Sequence, residues 1–159
     1  MKRMQLISKE CPPRVHAVYF RSLWNGWVCY DRMKTLLNQC GCLLGCGWDN
    51  DALGHYTCCR HYWEFVQAPR PQGLGIITAC RSRDFALLVS PKLNNDDAVR
   101  LAIGLYALYR TVNHIRFSRT DGVQLNTQKL LRGFARRAVD NHPAKRYLAR
   151  CVIKKFVIM

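Results

Sequence analysis

Residues 40–63 read CGCLLGCGWDNDALGHYTCCRHYW. The stretch carries five of the nine cysteines, Cys40, Cys42, Cys46, Cys58 and Cys59, and two of the five histidines, His55 and His61. Within it lies the series Cys42-x3-Cys46-x8-His55-x3-Cys59. Two ligands close in sequence make a turn that holds half of a tetrahedral metal site. A second pair, one helical turn apart, supplies the other half. Gly45 and Gly47, on either side of Cys46, leave the backbone free to wrap around an ion. The spacing predicts a structural Zn2+ held by Cys42, Cys46, His55 and Cys59, closed by four protein ligands with no open position for chemistry. Cys40, two residues before Cys42, and Cys58 and His61, beside Cys59, compete for the same roles. The bland alternative is a set of buried free thiols.

Outward from this element the pattern is helical. Pro12-Pro13 opens a helix on which Val15, Val18, Tyr19, Ser22 and Leu23 share a face, and Asn25-Gly26 ends it. Trp27, Tyr30, Met33 and Leu37 fit a second helix, so that residues 1–39 form an N-terminal helical hairpin with Trp24 and Trp27 in its core. Residues 40–67 are the CCHC element, in which Asp51 caps a turn bearing His55 and residues 61–67 form a short helix. Pro69, Pro71, Gly73 and Gly75 mark a loop. Residues 74–89 fit a buried strand or a buried helix, the second half leaning to helix.

The clearest helix follows. Asn94-Asn95-Asp96-Asp97 supplies a cap and negative charge at a first turn, and Leu101, Leu105, Leu108, Val112 and Ile115 then make one stripe. Gly104 inside it permits close helix packing. Asp121-Gly122 is a turn, and Asn126 or Thr127 caps a further helix with Leu130, Leu131, Phe134 and Ala138 facing inward. Residues 68–159 are therefore a helical region with a basic C-terminal tail. The expected fold is mainly α, a small helical domain around a CCHC zinc-binding element, compact as a whole.

Charge points to a partner. Twenty-five Lys and Arg against ten Asp and Glu give +15 over 159 residues, which favours a polyanion such as RNA or DNA over a membrane surface. From Arg110 onward twelve Lys or Arg face only Asp121 and Asp140, a net of +10. Lys129, Arg132, Arg136, Arg137, Lys145, Arg146 and Arg150 are the candidate contacts to the phosphate backbone. Nine cysteines cannot all pair with one another, and the start MKRMQLISKECPPR lacks a secretory apolar core. An intracellular setting, nucleus or cytoplasm, is expected. No apolar run reaches the roughly 18–20 residues of a membrane span.

The stretch LWNGWVCYDRM (residues 23–33), joined to the Cys/His series, resembles the region after the polymerase domain of non-LTR retrotransposon reverse transcriptases. That region shows a Cys pair, an acidic residue, a Leu and a His one turn on, then Cys and Trp. Here these are Cys42, Cys46, Asp51, Leu53, His55, Cys59 and Trp63. LAIGLYALYRTVNHIRF (residues 101–117) resembles the helix after that finger, with Tyr106, Tyr109, Arg110, Asn113 and Arg116 matching its aromatic and basic pattern. The resemblance spans roughly residues 15–117 and implies a nucleic-acid-binding zinc module.

Catalytic features of those polymerases are missing from the sequence. Asn95-Asp96-Asp97 has no aromatic two places before its acidic pair, and Arg81-Ser82-Arg83-Asp84 does not match the restriction-like endonuclease series. Ten scattered carboxylates make a poor Mg2+ site, and no nucleophile elbow, P-loop or dinucleotide fingerprint occurs. The expectation is a binding module without its own catalytic centre. Two alternatives stand beside it. One is a protein-interaction or scaffold module whose partner docks on the Leu101–Ile115 stripe; the other is a non-functional fragment of a decayed retroelement.

Overall fold

Helices carry the architecture, as the expected mainly α fold requires, and no strand occurs among the described residues. The structure is a computed structural model and describes residues 2–30, 32–33, 41–49, 51–66, 87–88, 93–118 and 126–146. Its helices are α1 (Lys2–Glu10), α2 (Pro13–Leu23), α3 (Leu53–Tyr56), α4 (Arg60–Val66), α5 (Asn95–Phe117) and α6 (Thr127–Val139).

The long helix α5 is the spine. A helix apolar on one face lies at a surface, whereas one buried on several faces lies inside. Ala98, Val99, Leu101, Ala102, Ile103, Leu105, Ala107 and Leu108 are all fully buried, and α1, α2, α4 and α6 all pack against this one helix. Asn94 starts it as expected, its side chain accepting from the Asp97 N–H at 2.8 Å. At Gly104 a β-carbon would lie 3.3 Å from Val66 Cγ2 and 3.5 Å from the Tyr62 hydroxyl. The glycine is where α4 crosses the spine.

The other helices take their faces from the same logic. In α2, Val15, Val18, Tyr19 and Ser22 are buried at i, i+3, i+4 and i+7, with Pro13 in the first turn. In α6, Leu131, Phe134, Ala135, Ala138 and Val139 are buried, and Asn126 is the cap, accepting from the Lys129 N–H at 2.9 Å. α1 is only weakly apolar, with Ile7 its one fully buried residue. It is tied instead by Arg3, which donates to Asn95 Oδ1 at 2.9 Å and to the Leu93 carbonyl. Arg14 of α2 donates to the carbonyls of Ala138 and Arg137, at 3.0 and 2.8 Å, and so closes the C-terminal end of α6. One hydrophobic core runs from Ile7 through the Cys/His element to Ala144.

Three local expectations change. The N-terminal helical pair is α1 with α2; residues 24–30 and 32–33 are turn and irregular chain, not a second helix starting at Trp27. The reversal at Asn25, with φ at 51°, turns Trp27 into the core and leaves Trp24 79% exposed rather than buried. Gly26 permits the reversal, since a β-carbon there would stand 2.8 Å from Arg21 Cγ and 3.1 Å from the Arg21 carbonyl oxygen. Asp51 is not a helix cap: Ala52 occupies that position without a side-chain cap bond, and Asp51 is buried in a longer-range network. Most of residues 74–89, the Asp121-Gly122 turn, Leu37 and Cys40 lie outside the described residues.

Candidate metal centre and basic face

The ligand atoms of Cys42, Cys46, His55 and Cys59 lie within 4.8 Å of one another. Cys42 Sγ is 4.0 Å from Cys59 Sγ, and Cys46 Sγ is 3.2 Å from His55 Nε2. A tetrahedron with sulfur at roughly 2.3 Å from its centre has sulfur–sulfur edges of roughly 3.8 Å. The Cys42–Cys59 edge is close to that value, and the Cys46–His55 edge is shorter, in the direction the shorter metal–nitrogen bond requires. Three sulfurs and one imidazole can hold a metal ion, and the donor set suits a borderline-soft one. Of the competitors, Cys58 is exposed, His61 Nδ1 lies 3.2 Å from Glu64 Oε2, and neither joins the group.

The local backbone explains the convergence. Gly45 and Gly47 adopt φ of 78° and 82°, left-handed values that a β-carbon would oppose. The loop between them is closed by the Cys42 N–H donating to the Trp48 carbonyl at 2.8 Å and the Gly45 N–H donating to the Cys42 carbonyl at 3.0 Å. Leu44 anchors the loop in the core. On the other side, α3 presents His55, and Cys59 stands immediately before α4, with the Trp63 N–H donating to its carbonyl at 3.1 Å. Trp63 is fully buried under this junction, its Nε1–H donating to the Thr57 carbonyl at 2.8 Å.

Electrostatics within the cluster are uneven. Cys42 and Cys59 share a hydrogen, which raises the Cys42 thiol well above its usual range, with burial adding to the rise. The same bond lowers Cys59, helped by the backbone N–H groups of His61 and Tyr62. Burial raises Cys46 and lowers His55, so the imidazole is neutral at pH 7 and free to donate a lone pair. Any ion entering the site displaces the shared proton.

A buried polar chain couples this loop to the spine, and sequence reading missed it. The Leu43 N–H donates to the Tyr56 hydroxyl at 3.3 Å, and that hydroxyl donates to Asp51 Oδ1. Asp51 Oδ2 accepts from the Tyr30 N–H at 2.6 Å. Arg116 of α5 completes the chain, its Nη2 2.6 Å from both Asp51 oxygens and its Nη1 donating to the Val28 carbonyl. Charge at Arg116 and Asp51 was visible in the sequence; their 65-residue separation hid the pairing.

The basic face is only partly as expected. Lys129, Arg132, Arg136 and Arg137 are exposed on α6, as are Lys145 and Arg146 beyond it. Among the described residues none of the four on α6 meets a carboxylate. Arg146 does, 2.8 Å from Glu10, and Arg137 stands over the Phe134 ring at 4.6 Å. Arg150 lies outside the described residues. The sequence also missed a cleft of about 470 Å3 between α5 and α6, lined by Tyr109, Arg110, Asn113, His114, Phe134 and Arg137. Its α5 members recur at i, i+1, i+4 and i+5, but only the placement of α6 makes them a wall.

Fold and site together define a mainly helical chain built around a Cys3His cluster able to hold a metal ion. The chain matches no protein-family model, no curated protein and no solved structure.

Proposed function

We propose that the chain is a zinc-stabilised module that binds nucleic acid through its phosphate backbone, akin to the tail of a retroelement reverse transcriptase and without a catalytic centre of its own. The observation that supports it most is the pairing of a closed Cys3His cluster with a carboxylate-free basic face on α6, where Lys129, Arg132, Arg136 and Arg137 are exposed together. Zinc fits the donor set, because three thiolates and one imidazole fill a tetrahedron and leave no position for substrate. Basic side chains without carboxylate partners are free to neutralise phosphates and release counterions.

Less supports the scaffold reading. Leu101, Leu105, Leu108 and Val112 are buried in the chain's own core, so the stripe offered to a partner helix is already covered. The experiment is a salt titration. Affinity of the zinc-loaded chain for a single-stranded oligonucleotide should fall steeply between about 50 and 200 mM salt. Undetectable binding at the low end sinks the proposal.

A further inference from the structure

We infer that the cleft between α5 and α6 is the seat for one unpaired nucleotide of a single strand, its phosphate between Arg110 and Arg137 and its base edge on Asn113 and His114. The inference rests on the nucleic-acid reading and assigns it a specific place.

Charge is the first argument. Arg110 and Arg137 both direct their guanidinium groups at one ring, 5.5 and 4.6 Å from the Phe134 centroid. Their charges are therefore within about 10 Å of each other, the Debye length at about 0.1 M salt, so their repulsion is felt most at low ionic strength. Neither meets a carboxylate among the described residues, and none lines the cleft. Two like charges gathered around one ring repel, and an anion between them removes the repulsion. Phe134 is itself pinned, buried and met edge-on by His114 at 5.8 Å. The guanidinium groups are thus held by cation–π contact before any ligand arrives.

Size and chemistry then choose the ligand. A cavity of about 470 Å3 far exceeds a lone phosphate and falls within the range of small-molecule sites. Asn113 offers an acceptor and two donors, and His114 a donor or an acceptor according to tautomer; together they match the edge of a nucleobase. Guanidinium planes provide a stacking surface for its face. Tyr109 also lines the cleft and is fixed, packed edge-on against Trp27 at 5.2 Å and hydrogen-bonded by Arg21.

The test compares strands and variants using the full zinc-loaded chain, with helix content and bound zinc measured for every variant. Fluorescence anisotropy is read for a labelled 12-nucleotide single strand and for an abasic strand of equal length. Wild type should prefer the base-bearing strand by about tenfold, the scale of one well-stacked base. Arg110→Ala with Arg137→Ala should abolish that preference and weaken binding at least about tenfold more than Arg132→Ala with Arg136→Ala, which removes equal charge elsewhere on α6. Asn113→Ala should reduce the preference while leaving abasic affinity unchanged. If the alanine pair misfolds, Arg110→Lys with Arg137→Lys keeps the charge and should still lose most of the preference. Equal affinity for both strands, or equal losses from the two arginine pairs, overturns the inference while the general binding proposal survives. Absence of all binding overturns both.

Discussion

Arg116 Nη2 lies 2.6 Å from both carboxylate oxygens of Asp51, with the two side chains only 5% and 1% exposed. The pair joins the spine helix to the chain segment that leads into the histidine ligand. Removing one member of a buried pair leaves the other charge unpaired, at a cost of about 3–5 kcal/mol. Arg116→Met or Asp51→Ala should lower the urea midpoint accordingly, and the double variant should recover part of the loss. A double variant as unstable as the sum of the singles would deny the coupling.

The cluster gives a prediction about metal content. Zinc-loaded wild type should carry one ion per chain, and Cys42→Ser, Cys46→Ser, His55→Ala and Cys59→Ser should each bring it well below one. Cys58→Ser should leave it at one, because Cys58 is exposed and outside the group. Trp48 is the reporter, since its ring stacks on His55 at 5.8 Å with an interplanar angle of 7°. A chelator should shift tryptophan emission while most of the helical signal persists.

Thiol chemistry should separate by depth. Burial raises Cys11 to about 12 and Cys29 to about 11, so both are protonated and slow to alkylate at pH 8, whereas exposed Cys58 reacts fast. The linkage has a definite sign. Between the ordinary thiol value of 9.0 and the raised values, the unfolded chain loses protons that the folded chain keeps. Their contribution to stability is whole below pH 9 and lost as pH rises through 11 to 12. Peptide mass spectrometry after brief alkylation checks the first point, and urea midpoints from pH 8 to 11 check the second.

Gly104 tests the helix crossing. Alanine gains about 1 kcal/mol in helix propensity, while its β-carbon would press on Val66 Cγ2 at 3.3 Å. Val66 is only partly buried and can yield, so Gly104→Ala should be close to neutral. Gly104→Leu has no such outlet and should cost about 1–3 kcal/mol, measured by thermal or urea unfolding.

Salt dependence tests the basic face. Each phosphate contact on a single strand contributes about −0.7 to the slope of log affinity against log salt. Lys129→Ala, Arg132→Ala and Arg136→Ala together should make that slope shallower by about 2. An unchanged slope would place the binding elsewhere.

What could be read from the sequence was what is local. Asn94 and Asn126 announce their helices because a cap acts within three residues. The four residues of the Cys3His cluster announce themselves because each pair is spaced by one turn. The α5 stripe is periodic, although periodicity did not reveal that the helix is buried on its other faces as well. What stayed hidden depends on distant partners. Asp51 reads as a cap until Arg116 arrives from 65 residues away. Helix α1 reads as uninformative because its apolar face is small, with Ile7 alone fully buried, and Arg3 ties it to residues 93 and 95 far along the chain. Trp24 and Trp27 look alike until Asn25 reverses the chain between them. The cleft needs two helices, and no single helix carries its signal.

Arg14 has a consequence for how the molecule forms. Its guanidinium closes the end of α6 across 124 residues, so that helix stays open at its last turn until the earliest segments have come back to meet it. During synthesis α1 and α2 can meet each other first, but their contacts with the spine, and that of Arg14 with α6, form only once those helices have been made. Loss of the first fourteen residues would accordingly be felt at the opposite end of the sequence, as fraying of the helix that carries Arg136 and Arg137.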